Sequence, residues 1–191
     1  AACACSGIVI GIIAITGVGL AFSSFVLSMS QGILPFALIL TMIGSIILGM
    51  GVPTTAQYII TSTLAAPALS QMGVPMFSAH LFCLYFGVLA DVTPPVALTT
   101  YDCAWIDKSE PLNTGFTAPL VAAAGFIVPY MFIYNPGLLL QGSIFEIVFA
   151  SVTALIAVIG LSAAVQGYFA DDISIIERLL LFAVPFLIIY P

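Results

Sequence analysis

Long apolar runs alternate with short polar interruptions along this chain, and the interruptions carry most of the chemistry. Residues 4–30 read as one membrane helix with a loosened end, in which Gly7, Gly11, Gly17 and Gly19 offer small surfaces for close helix approach. Gln31-Gly32 ends that run. Residues 33–50 and 56–69 are apolar arms, each short of the roughly 20 residues that cross a hydrocarbon core. Between them lies GMGVPTT, with Gly49, Gly51 and Pro53 in five positions. Pro53 lacks an amide donor and biases Val52 towards extended backbone, so the pattern predicts a re-entrant hairpin over about 33–70. After a turn at 71–75, the apolar run 76–92 meets Thr93-Pro94-Pro95 and resumes at 96–106. The diproline forbids an unbroken helix, so a discontinuous membrane helix is expected over about 76–106.

The most polar stretch, 107–114, reads as a surface loop. Further spans are expected at 116–134, 144–166 and 175–190, with a turn at Asn135-Pro136-Gly137 and a water-exposed connection at 171–174. Ser174 followed three residues later by Glu177 predicts a capped start to the last helix. No repeat is obvious within the chain, although one half of an inverted-repeat transporter has this form. The expected fold is therefore all-α: a polytopic membrane protein with a re-entrant helical hairpin and a discontinuous transmembrane helix.

Composition narrows the function. Of 191 residues 62% are hydrophobic and 5% charged, whereas a soluble domain carries roughly 25% charged residues. Mean hydropathy is +1.28. A lipid bilayer is the solvent these numbers fit. The two basic residues, Lys108 and Arg178, give no patch for nucleic acid and set no orientation by positive-inside counting. The formal charge of -6 is spread over loops and helix ends. Cys3, Cys5, Cys83 and Cys103 have no metal-like spacing and read as small, buried, reduced thiols. Beginning at Ala1 without an initiator Met or a charged n-region, and with an apolar run reaching Pro191, the chain reads as a fragment without a visible signal peptide.

The two breaks are the candidate sites. Irregular backbone at membrane depth survives only where protein or a water-filled cavity satisfies it. A broken helix frees carbonyls, which suit a small cation, and amides at a positive dipole end, which suit an anion. At the first break Gly49 and Gly51 allow close approach, and Thr54 and Thr55 add hydroxyls. The plainer alternative is a proline-kinked helix whose threonines bond back to their own carbonyls. At the second break Gly87, Asp91, Thr93, Thr99 and Thr100 play matching parts. Asp91 is the only acid in the middle of an apolar span, a position that is expensive to maintain. It could pair with a cation, take a proton or bond freed amides, or it could cap a half-helix starting at Pro94. His80 reads as a structural or interfacial histidine rather than a proton relay. Glu146 is expected to face the interface or a neighbouring helix. Tyr58, Tyr85, Trp105, Tyr130, Tyr134, Tyr168 and Tyr190 suit an aromatic belt, and only Tyr58 and Tyr101 are weighed as substrate contacts. No nucleophile-base or metal-ligand constellation emerges, so an enzyme is not expected.

Three motifs in order, LGMGVPTTAQYII (48–60), AHLFCLYFGVLADVTPPVALTTY (79–101) and KSEPLNTGFTAPLVAAAGFIVPYMFIYNPGLLL (108–140), resemble the large membrane subunit of the TRAP (tripartite ATP-independent periplasmic) transporters, most closely the fused permease type. The resemblance is good over about 1–140 and looser beyond. It implies a sodium-coupled secondary transporter in the bacterial inner membrane that imports organic acids by an elevator-like movement. It implies a periplasmic substrate-binding protein as partner, together with the rest of the permease: a first repeat and small-subunit-like helices. No cofactor is expected beyond sodium as coupling ion. Residues 1–140 would form the second-repeat transport core and 141–191 a helical scaffold. Carried over by position, the substrate- and ion-binding candidates are Gly49, Gly51, Pro53, Thr54 and Thr55 at the hairpin tip, and Gly87, Ala90, Asp91, Thr93 and Pro94 at the broken helix. Sodium would sit at Gly49, Gly51, Thr54, Gly87, Ala90 and Thr93, mostly on backbone carbonyls. Asp102, Cys103 and Trp105 are larger than the resemblance leads one to expect after the diproline. A passive channel or a differently coupled carrier is the alternative.

Overall fold

A computed structural model describes residues 2–169 and 171–189. The side chains of Cys3 and Cys5, and all of Tyr190, lie outside the described residues. The chain forms two compact units, Ala1–Phe116 and Thr117–Pro191.

The first unit begins with α1 (Ala2–Thr16) and α2 (Val18–Ser30). The expected single helix over 4–30 is thus divided at Gly17, whose φ of +68° is left-handed backbone that interrupts the helical ladder and that glycine adopts without penalty. Two helices follow, α3 (Leu34–Gly49) and α4 (Thr54–Gln71), then α5 (Met76–Leu89) and a 3-10 turn (Ala90–Val92). A second short helix, α6 (Leu98–Asp107), completes the broken pair, and α7 (Pro111–Val121) starts within this unit.

Helix α4 is the centre of the unit. It packs against α5, α3, α2 and α1, and small residues, Ala56, Ala65, Ala66 and Ala68, supply much of its buried surface. Small side chains let helix backbones approach where hydrophobicity offers no drive between helices. The approach of α2 is the clearest case. Pro67 cannot donate to the carbonyl four residues back, Thr63, and a Cβ on Gly19 would sit 3.4 Å from that oxygen. Beside it, the Ser23 hydroxyl donates to the Leu64 carbonyl across the interface at 3.2 Å. On α5, Phe82 and Phe86 are fully buried and pack edge to face at 4.7 Å.

In the second unit, α8 (Ala123–Tyr134) is followed by a 3-10 turn (Pro136–Leu139), α9 (Ile144–Gln166) and α10 (Ile175–Ile189). The expected span at 116–134 is more segmented than its apolar pattern implies. It lies between Pro119 and Pro129, and the Gly125 amide bonds back three residues, to Ala122, at 2.8 Å, which tightens the turn. Helix α9 starts with a capping box: Ser143 N–H donates to Glu146 at 2.8 Å while the Glu146 amide reaches the Ser143 hydroxyl at 3.4 Å. Glu146 therefore folds back on its own helix start and is exposed, instead of facing a neighbouring helix. The expected Ser174–Glu177 cap is present, with Ser174 N–H donating to Glu177 at 2.9 Å. The connection before it carries a two-residue antiparallel ladder, β1 (Tyr168–Phe169) with β2 (Asp171–Asp172), in which Tyr168 faces Asp172.

Helices α9 and α10 pack together, and Arg178 fastens them by donating from its guanidinium to the Ala164 and Val165 carbonyls. Those carbonyls lie in the last turn of α9, where a cation also complements the helix dipole.

Pro111–Tyr134 and Ile144–Gln166 are each long and apolar enough to cross a membrane, and 22% of each such window is buried within the structure. Exposed apolar side chains such as Ile15 and Ile144 (88% and 82% exposed) would be untenable in water over so large an area. The architecture is an all-α polytopic membrane protein.

Candidate functional site

Both breaks lie in the first unit, and they meet. Helix α3 ends at Gly49, Gly51 turns the chain at φ +72°, and α4 starts at Thr54 after an extended Pro53. Because α3 and α4 then pack side by side, this break is a reversal and not the kinked helix of the plainer reading. The second break runs from Ala90 through a cis Pro94–Pro95 bond to Ala97, which takes left-handed backbone at φ 34°. Helix α6 begins at Leu98, so the cap on a half-helix starting at Pro94 that was considered for Asp91 is not formed.

The contacts between the breaks are tight. A Cβ on Gly49 would fall 2.7 Å from the Gly87 carbonyl oxygen and 3.1 Å from Ala90 Cβ, so only glycine fits there. Gly51 faces Val96, beyond the diproline: a Cβ there would meet Val96 Cγ1 at 3.7 Å. The C-terminal ends of α3 and α5 are thereby brought to one place, where each carbonyl already accepts one local bond: Gly49 from Gln57 Nε2 and, at 3.4 Å, the Val52 amide, Gly87 from the Ala90 amide, and Ala90 from the Thr93 amide. Neither α4 nor α6 has a side chain capping its N-terminus. Their first amides, with the positive ends of two helix dipoles, are left for other partners.

The remaining candidates divide. Gly49, Gly87 and Ala90 are buried and in mutual contact; Gly51, Pro53, Thr54 and Thr55 are exposed at the tip. Asp91, Thr93 and Pro94 are half-buried. Thr93 donates its hydroxyl to the Leu89 carbonyl at 2.7 Å, and Thr99 donates to the Asp91 carbonyl at 2.7 Å, so both threonines brace the break. The Thr100 hydroxyl is buried with no hydrogen-bond partner.

Tyr101 donates to the Pro95 carbonyl at 3.0 Å and lies against Gly115, a structural use that employs its hydroxyl. Tyr58 pairs with His80 at 3.1 Å, linking α4 to α5. Asp102, Cys103 and Trp105 are exposed on α6, so Cys103 is not the buried thiol expected of it, whereas Cys83 is buried. The residue that sequence reasoning missed is Gln57. It is fully buried, its Nε2 donates to the Gly49 carbonyl at 2.6 Å, and its Oε1 has no partner. A carboxamide one turn from the tip, inside an otherwise apolar and hydroxyl-bearing arm, was the available signal.

Chemically, a carbonyl keeps a second lone pair that can take a small cation, and uncapped amide ends can take an anion. Paired helix breaks of this kind are a feature of membrane-embedded, broken-helix secondary transporters. The chain belongs to a known family of that class: residues 1–147 match the tripartite ATP-independent periplasmic transporter, DctM component. No curated protein and no solved structure matches it. Family membership makes the chain part of an integral membrane component for solute import that works with a periplasmic binding protein.

Proposed function

We propose that the chain is the second-repeat transport core of a sodium-coupled permease that imports organic acids across the bacterial inner membrane by an elevator-like movement. The observation that carries this reading is the direct packing of the hairpin tip on the helix break, Gly49 on Gly87 and Ala90. Sodium is proposed to bind carbonyls at Gly49, Gly51, Gly87 and Ala90 with the hydroxyls of Thr54 and Thr93. The acid's carboxylate would be received by the uncapped starts of α4 and α6, near Thr54, Thr55 and the Asp91–Pro94 segment, without an arginine. Residues 1–140 act as the moving core and 141–191 as scaffold, and a first repeat and small-subunit-like helices complete the permease.

The reading is tested by uptake of labelled organic acids into proteoliposomes holding the complete permease, with and without its binding protein and an inward sodium gradient. Uptake requiring both supports it. Uptake that needs neither means a passive pore or a differently coupled carrier.

A further inference from the structure

Gln57 is engaged at one end only. Its Nε2 donates to the Gly49 carbonyl at 2.6 Å, while its Oε1 is buried and unpartnered. The side chain is clamped between the two breaks, since a Cβ on Gly87 would meet Gln57 Cγ at 3.4 Å. Its own turn of α4 is fixed by Thr61, which donates to the Gln57 carbonyl at 2.9 Å. A buried amide oxygen without a partner is costly, so its retention calls for an occasional partner.

A carboxamide has a donor end and an acceptor end of nearly the same shape. A half-turn about its terminal bond exchanges them without moving anything else. With Nε2 forward, the Gly49 carbonyl is satisfied in the absence of any cation. With Oε1 forward, two oxygens face each other, an arrangement only a cation stabilises.

We propose that Gln57 is the placeholder for the coupling cation: its amide N–H holds the Gly49 carbonyl when the site is empty, then turns so that Oε1 joins that carbonyl on sodium. The inference rests on the sodium-coupled reading above. It adds a side-chain ligand to a site otherwise made of backbone and hydroxyls. It also gives the Gly49 carbonyl, which otherwise has only a long 3.4 Å bond from the Val52 amide, a close partner while the empty carrier moves through the membrane.

The test is the thermal stabilisation of the purified complete permease by sodium chloride against choline chloride, in alkaline buffer, read as the half-saturating sodium concentration. Gln57→Glu replaces the donor with a second, charged oxygen and should lower that concentration about tenfold. Gln57→Met keeps the length, loses both donor and oxygen ligand, and should raise it about tenfold. Opposite shifts from two near-isosteric variants are not produced by a merely structural role. A structural role lowers melting without sodium in both and leaves the half-saturating concentrations within twofold, or moves them together; either result overturns the inference. If the carboxylate prevents folding, the Met variant decides alone, an unmoved concentration being the refuting result. A wild-type permease that sodium does not stabilise overturns the sodium reading itself and this inference with it.

Discussion

Replacing Gly49 with alanine adds a single methyl group where the two breaks touch. That methyl would lie 2.7 Å from the Gly87 carbonyl oxygen, 2.8 Å from Gln57 Nε2 and 3.1 Å from Ala90 Cβ. Gln57 could swing its amide aside, but only by abandoning the Gly49 carbonyl. The Gly87 carbonyl belongs to the backbone of α5 and cannot yield alone, so the hairpin tip has to lift. Overpacking of this kind costs about 1–3 kcal/mol. Applied to the seating of the tip on the broken helix, that range corresponds to a loss of roughly 5–150-fold in the equilibrium that forms it. Initial-rate uptake by the complete permease in proteoliposomes, at sub-saturating sodium, should fall within that range, and raised sodium should recover part of it. Gly160→Ala is the control: its methyl would stand 3.7 Å from Leu181 Cδ2, an ordinary contact on α9, and uptake should stay within about twofold. Wild-type rate and sodium dependence in Gly49→Ala would refute the claim that the tip works by seating on the broken helix.

Asp91→Asn and Thr93→Ala are each expected to lower uptake with normal membrane insertion, and Thr93→Ser, which keeps the hydroxyl that donates to Leu89, should restore much of the second loss. Unchanged uptake and sodium dependence in both would remove these residues from the site. Arg178→Gln loses charge and geometry at the end of α9, and a melting measurement on the purified permease should show about 1–2 kcal/mol of lost stability with sodium half-saturation unmoved. Ser143→Ala removes one half of the α9 capping box and should cost about 1 kcal/mol by the same measurement, without effect on uptake per folded molecule.

Much of this was legible in the residues, for physical reasons that differ by element. Apolar runs bounded by glycine and proline mark where helices must stop, so the breaks at 49–54 and 90–97 follow directly from Pro53 and the diproline. Capping chemistry made the start of α10 readable from Ser174 and Glu177 alone. The division at Gly17 was not readable, because glycine inside an apolar helix serves close packing as readily as a left-handed turn. The capping role of Glu146 was not readable, because a capping box can be inferred only once the helix start at Ser143 is known. The start of α6 at Leu98 depends on the turn through Pro95 to Ala97, a conformation that Pro-Pro permits but does not dictate. Gln57 escaped notice because its importance comes from contact with Gly49 eight positions away and with Gly87 on another helix. Such proximity is a property of the hairpin's packing, which no spacing rule contains.

The most direct test of the account is coupled flux in one set of vesicles, with labelled sodium and a labelled organic acid followed together in the presence of the binding protein. The account predicts that sodium entry rises in step with acid import, in a fixed ratio, and that both fall together in Gly49→Ala. Acid entering at the same rate without sodium, or sodium passing equally well when acid and binding protein are left out, would contradict it.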